Sequence, residues 1–129
     1  MSILKNILKK QVPINTNITD VELILNEIKT CIKEENKIVA NSLFDIILDK
    51  TFQLKNKPFV VGEVAEIAEE LGHKIKAAQL YEVAGSTFNS NSTYFLNKSL
   101  ILYDENGEVN DTQRIEKKLK LYSGVPKRE

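Results

Sequence analysis

The chain has almost none of the residues that carry the commonest catalytic and cross-linking chemistry. Its 129 residues include one cysteine, one histidine and no tryptophan. A single cysteine, Cys31, excludes an internal disulfide, and we expect this residue at a half-buried helix position rather than as a reactive thiol. Any catalytic triad or histidine-based metal site would have to be built around His73, which we predict to lie in a solvent-facing turn.

Glycine and arginine are also scarce, and charge of neither sign dominates. The five glycines never fall at the spacing of a phosphate-binding loop or a dinucleotide fingerprint. The 18 basic and 18 acidic residues balance to zero, so no global field attracts nucleic acid or anionic lipid. Arginine, which recognises bases and phosphates best, occurs only at Arg114 and Arg128. The composition therefore disfavours nucleic acid as a partner and predicts no cofactor.

Long apolar runs are missing as well. No stretch approaches the about 18 apolar residues that a membrane-spanning helix needs, and the N-terminus lacks the small-residue cleavage site of a secretory signal. We therefore predict a cytoplasmic protein. Residues 1–18 form an amphipathic segment, with an apolar face made by Ile3, Leu4, Ile7 and Leu8. We expect this segment to dock on the chain itself or on a second copy in preference to a membrane. We expect residues 123–129 to be a flexible tail.

Helical periodicity is what the chain does contain. Apolar residues recur at three and four positions through six stretches, which predict helices over about 19–35, 39–54, 58–71, 74–88, 93–105 and 109–122. Thr19 with Glu22 fits a capping box at the first start, Pro58 fits the first turn of the third helix, and Gly72 fits its end. In the last helix Lys117, Lys118 and Lys120 are placed on the outer side. The short connections predict an all-α fold of antiparallel helix pairs.

A ladder of small and aromatic residues follows the turn at Leu71-Gly72. Ala77, Tyr81 and Ala84 share one face of the fourth helix, where small side chains allow close helix approach and the aromatic fills the space one turn away. This pattern resembles the tetratricopeptide repeat, a helix-turn-helix unit of about 34 residues. Two further units match it less fully, and their corresponding residues are Ala40, Phe44 and Ile47 in the first unit, and Ser99, Tyr103, Gly107, Thr112, Ile115 and Leu119 in the third.

The resemblance implies a fold and a function. The fold would be a short right-handed solenoid over residues 19–122, with about six helices and a short N-terminal helix as a cover. In that family the first helices of the pairs line a groove that holds a peptide or protein. Transferred to this chain, the pattern places five candidate partner-binding residues in the groove: Lys29, Glu66, Glu69, Asn97 and Lys98.

The leading hypothesis is therefore a non-catalytic, bacterial-type interaction module, such as an adaptor, a chaperone or an inhibitor of the immunity type. Its partner would be a protein or peptide, and a homodimer is a further candidate. Leu25 and Glu63 stand where family members that clamp a terminal carboxylate carry polar or basic residues, so we expect no such clamp.

Two alternatives come from other functional classes. Glu63, Glu66 and Glu70 share a helix face and, together with His73, would serve a small metal-dependent enzyme. Paired helices with a glycine turn also occur in helix-turn-helix nucleic-acid binders, for which the fourth helix offers Lys74 and Lys76 near its start.

The small-residue ladder is open to a direct test. Replacing Ala77 or Ala84 by Leu is expected to lower the free energy of unfolding by about 1–3 kcal/mol, because the larger side chain would overpack a close helix contact. Urea unfolding followed by circular dichroism measures the change. Unaltered stability in both variants would place the two alanines at the surface.

Overall fold

The computed structural model describes residues 18–124, and these residues form six α-helices with no strand among them. The helices are α1 (Ile18–Lys33), α2 (Lys37–Phe52), α3 (Pro58–Glu70), α4 (Lys74–Ser86), α5 (Ser92–Glu105) and α6 (Val109–Gly124). Neighbouring helices pack in pairs, which confirms the prediction of an all-α fold compatible with a helical repeat. Helix α4 ends two residues before Phe88, the end that the sequence predicts.

The chain divides after Leu54 into two compact units, Met1–Leu54 and Lys55–Glu129. The described part of the first unit contains the α1–α2 pair, and the second contains α3 to α6. The predicted N-terminal segment and C-terminal tail lie outside the described residues, except for Ile18 and the last helical residues, Ser123 and Gly124.

The first unit buries one face of α1 against one face of α2. Val21, Ile24 and Ile28 of α1 are almost fully buried, as are Leu43 and Phe44 of α2. The apolar stripe of α1 continues from Ile28 to Cys31, which is three positions later on the same helix face.

Cys31 is fully buried. The expectation of a half-buried position was wrong, because Cys31 belongs to the inner stripe while Ile32, four positions after Ile28, is partly exposed. Burial raises the pKa of the Cys31 thiol, and the nearby Glu27 and Glu34 charges act in the same direction. A thiol with a raised pKa is less often ionised and therefore less reactive.

In the second unit, α5 packs against both α3 and α4 through two glycines. A Cβ atom at Gly62 of α3 would lie 2.5 Å from Phe95 Cε1, and one at Gly85 of α4 would lie 2.7 Å from Leu96 Cγ. Both distances are shorter than any real carbon contact, so Phe95 and Leu96 occupy the space that these glycines leave open. Gly62 on α3 and Gly85 on α4 therefore have the same role, which is to allow close approach of α5.

A small polar residue completes the contact between α4 and α5. Ser99 is fully buried, and its Oγ donates a hydrogen bond of 2.8 Å to the backbone oxygen of Ala78. This residue stands where the repeat pattern has an alanine. The bond supplies the partner that a buried hydroxyl requires.

Helices two apart in the chain also meet in this unit, so that α3 lies beside α5 and α4 beside α6. The rings of Phe59 and Phe95 join α3 to α5 at a centroid distance of 6.2 Å. The Tyr122 hydroxyl of α6 donates a 2.8 Å hydrogen bond to the backbone oxygen of Ser86 in α4. The second unit thus has two layers, with the odd-numbered helices in one and the even-numbered helices in the other.

The connection between α4 and α5 is held by Asn89. Its Nδ2 donates to the backbone oxygen of Ala84 at 2.9 Å, and its Oδ1 accepts from the Asn91 amide at 2.8 Å. Asn91 holds the cap position without a side-chain cap bond, while Ser92 is buried and accepts from the Asn89 amide at 2.8 Å.

The turn inside each helix pair has the same backbone conformation. One residue adopts a positive φ, namely Glu35 at 60°, Gly72 at 89° and Gly107 at 74°. The amide of the following residue donates to the backbone oxygen five positions earlier, with distances of 2.7 Å for Asn36, 2.8 Å for His73 and 3.0 Å for Glu108. These bonds define the Schellman motif, which closes a helix through a left-handed residue. The first pair therefore repeats the turn without the glycine.

Because a left-handed conformation costs a residue with a Cβ about 1 kcal/mol relative to glycine, the turns generate a paired prediction. Glu35→Gly is expected to raise the free energy of unfolding by about 0.5–1 kcal/mol, and Gly72→Ala to lower it by about 1 kcal/mol. No heavy atom lies within 4 Å of a Cβ built at Gly72, so conformation and not crowding would be measured. Urea unfolding would contradict this assignment if Glu35→Gly destabilised the protein.

Candidate functional site

Four of the five predicted partner-binding residues lie in the second unit. Glu66 and Glu69 are on α3, and Asn97 and Lys98 are on α5, which are the two helices of the odd-numbered layer. The fifth, Lys29, is an exposed residue of α1 in the first unit. The structure thus brings the four residues of α3 and α5 onto one surface, and their role in binding stays a prediction.

One stripe of α3 faces α5. It consists of Phe59, Gly62, Glu66 and Glu69, which recur at three and four positions and therefore share a helix face. Phe59 and Gly62 contact Phe95, and Glu69 forms an ion pair with Lys98 at 3.2 Å. Glu66 lies between these two contacts, with its side chain exposed.

Two exposed aromatic rings lie near the start of this stripe. Phe95 is buried and contacts three rings, with centroid distances of 6.2 Å to Phe59, 5.6 Å to Tyr94 and 6.3 Å to Tyr81. Phe59 and Tyr94 nevertheless remain 53% and 48% exposed, which is high for rings that already have aromatic neighbours. Further along α5, Asn97 and Ile101 are also exposed.

We call this surface the α3/α5 face. It consists of Phe59, Glu66, Glu69, Tyr94, Asn97, Lys98 and Ile101. Two apolar rings, one aliphatic side chain and several polar groups together give it the mixed character of a protein-binding surface.

Two residues of the α3/α5 face, Glu69 and Lys98, form a group with a buried residue of α4. The Tyr81 hydroxyl of α4 donates a 2.9 Å hydrogen bond to Glu69 Oε1, and Lys98 Nζ lies 5.6 Å from the centre of the Tyr81 ring. Burial raises the pKa of Tyr81, and the hydrogen bond to Glu69 raises it further. Tyr81 is therefore a neutral hydrogen-bond donor, and Glu69 and Lys98 are each about one-third exposed.

A second group with the same kinds of side chain, and one more cation, joins α4, α5 and α6. Arg114 of α6 binds Glu82 of α4 through two bonds, with Nε 2.8 Å from Oε2 and Nη2 2.7 Å from Oε1. Lys118 Nζ lies 2.7 Å from Glu82 Oε2, and the Tyr103 hydroxyl of α5 donates to Oε1 at 3.3 Å. The Arg114 guanidinium lies 5.8 Å from the centre of the Tyr103 ring. A carboxylate, a tyrosine and a cation from successive helices thus recur one helix later.

The Glu82 group is the more buried of the two, since its carboxylate side chain is only 13% exposed. Burial alone would raise the pKa of Glu82, but the hydrogen bonds from Arg114 and Lys118 outweigh it and lower the pKa to about 2. The sequence had placed Lys118 on the outer side of α6, which was wrong, because the long side chain turns back to reach α4. Arg114, one of two arginines, was the only signal of this group in the sequence.

A cleft of about 390 Å³ adjoins the Glu82 group. Its lining residues are Lys55, Glu82, Val83, Ser86, Thr87 and Lys118. Lys118 spans part of it, since Nζ also lies 2.9 Å from Ser86 Oγ. Of the three charged residues that line this cleft, Glu82 and Lys118 are therefore bound to each other.

The carboxylates of α3 and His73 are the residues of the metal-dependent alternative. Glu63, Glu66 and Glu70 are exposed, and His73 is in the turn before α4, partly exposed. Among residues 18–124, no group of three or more histidine, cysteine, aspartate or glutamate side chains is arranged to hold a metal ion. None of the helices in this range is long and apolar enough to cross a membrane.

Comparison with known proteins yields no relative: no protein-family model matches the chain, and neither a curated protein nor a solved structure matches it.

The Glu82 group predicts a specific dependence of stability on pH. Because the pKa of Glu82 falls from 4.5 to about 2 on folding, its contribution is complete above pH 4.5 and is lost as the pH falls toward 2. Glu82→Gln is expected to lower the free energy of unfolding at pH 7 by about 2–4 kcal/mol and to reduce the loss of stability below pH 4.5. Urea unfolding between pH 2 and 7 measures both effects.

The matched control for this test is Glu116→Gln, which removes the same charge from an exposed position of α6. We expect it to change stability by less than about 0.5 kcal/mol. Equal effects of the two substitutions would show that the Glu82 ion pairs do not stabilise the fold.

Proposed function

We propose that the protein is a non-catalytic interaction module that binds a peptide or protein partner on the α3/α5 face. The observation that carries this proposal is the exposure of Phe59 and Tyr94 on either side of a buried ring. Aromatic side chains that remain half exposed in a cluster are typical of protein-binding surfaces. Glu69 and Lys98 add polar groups beside the rings that can orient a ligand.

The repeat pattern supports the same proposal. Three pairs share one turn geometry, and the carboxylate, tyrosine and cation group occurs twice in the second unit. We propose on this basis that the chain is a divergent relative of the tetratricopeptide repeat, in which first helices of pairs bind the ligand. Helices α3 and α5 are first helices in this sense. An adaptor, chaperone or inhibitor that acts in the cytoplasm fits this description.

The proposal is tested by comparing what the face captures with what an altered face captures. The protein, carrying a purification tag, is isolated from cells that produce it natively, and bound proteins are identified by mass spectrometry. A double variant with Phe59→Ser and Tyr94→Ser is expected to lose the main partner, because both exposed rings are removed. The double variant should retain its helical circular dichroism.

The control replaces two other exposed apolar residues of the same unit, Val109→Ser and Leu121→Ser, which are 63% and 65% exposed on α6. We expect this variant to keep the partner. Capture that is equal for the wild type and the Phe59 and Tyr94 variant would contradict the proposal. Recovery of a second copy of the chain as the only bound protein would identify the face as a homodimer contact.

A further inference from the structure

Charge is distributed unequally between the two layers of the second unit, although the whole chain is neutral. Helix α3 contains four glutamates and no basic residue, and α5 contains Lys98 against Asp104 and Glu105. Helices α4 and α6 carry more lysine and arginine than acid. The odd-numbered layer therefore has five more acidic than basic residues, while the even-numbered layer has three more basic than acidic ones.

The single cation of the acidic layer is already paired. Lys98 Nζ lies 3.2 Å from Glu69 Oε1 and also over the Tyr81 ring. It therefore offsets the charge of Glu69 and leaves that of the neighbouring carboxylates. Glu66 is exposed on the stripe that faces α5, and Glu70, one turn further on, is also exposed.

Apolar and acidic groups occupy separate parts of this surface. Glu66 follows Phe59 by two turns on α3, and the half-exposed rings of Phe59 and Tyr94 lie at the start of α3 and α5. The rings favour an apolar side chain of a ligand, and their faces attract cations as well. The carboxylates favour lysine or arginine.

From this arrangement we infer that the α3/α5 face takes a cationic amphipathic peptide, whose apolar side chains contact Phe59 and Tyr94 and whose lysine or arginine side chains contact Glu66 of that face and Glu70 beside it. This inference rests on the proposed function, since it names the chemical class of the partner for the same face. Charge complementarity would speed association and exclude acidic partners.

The test uses three labelled helical peptides of about 15 residues. The first has leucine on one face and lysine beside it, the second replaces lysine by glutamate, and the third keeps lysine and replaces leucine by glutamine. Binding to the full chain is measured by fluorescence anisotropy at low and high salt. We expect the first peptide to bind most tightly, with an affinity that falls as salt screens the charges.

Variants locate the binding on the face. Glu66→Gln combined with Glu70→Gln is expected to weaken binding of the first peptide about fivefold, and the salt dependence of binding should be smaller in this variant than in the wild type. Glu116→Gln on α6 is the control and is expected to leave the affinity unchanged. The Phe59→Ser and Tyr94→Ser variant should weaken both lysine peptides toward the same low level.

Three results would overturn the inference: tighter or equal binding of the glutamate peptide, no binding of any peptide, or an affinity that the Glu66 and Glu70 variant does not alter. If the glutamate peptide binds and the Phe59 and Tyr94 variant abolishes that binding, the face is a binding site of a different chemistry and the proposed function stands. Self-association that competes with the peptides, seen by sedimentation, would assign the face to a second copy instead.

Discussion

The second unit depends on the insertion of two neighbouring side chains of α5 into the space left by two glycines. Phe95 fills the gap at Gly62 of α3, and Leu96 fills the gap at Gly85 of α4. Because these residues are adjacent, α5 is held against both helices at once, and its axial position is set by where the glycines occur. The consequences extend to the surface, since this position places Phe95 beside Phe59 and brings Lys98 to Glu69.

The two groups of carboxylate, tyrosine and cation tie together helices that are two apart in the chain. Their contributions to stability differ because their burial differs. The ion pair of Glu69 and Lys98 is about one-third exposed, and pairs with that exposure contribute about 0–1 kcal/mol. Glu82 is more buried and receives bonds from two cations and a tyrosine, so removing its carboxylate leaves three donors without their acceptor. The first group therefore remains accessible to a ligand, and the second is chiefly a structural contact between α4, α5 and α6.

The distribution of charge explains why composition alone misdirects a functional argument for this chain. A balance of 18 basic and 18 acidic residues indicates no electrostatic preference. Folding sorts those charges by layer, because the exposed positions of α3 include three glutamates and those of α6 include more lysine and arginine than acid. Fields act over about 10 Å at moderate salt, so a ligand on one layer responds to that layer and not to the average. The α3/α5 face is thus acidic and aromatic in a neutral protein.

Local sequence determined the helices, their approximate ends and the turns, because periodicity, Pro58 and Gly72 act over a few residues. The resemblance to the tetratricopeptide repeat supplied four further candidates, Glu66, Glu69, Asn97 and Lys98, that lie on one surface. Local sequence missed the exposure of the Phe59 and Tyr94 rings, the reach of Lys118 back to Glu82, and the full burial of Cys31. The burial of Cys31 and the exposure of the two rings depend on which helix positions face a neighbouring helix. The contact of Lys118 with Glu82 depends on α4 and α6 lying side by side. Such choices are made by tertiary packing, since a helix face three or four residues wide admits several partners and only the assembled layers select one.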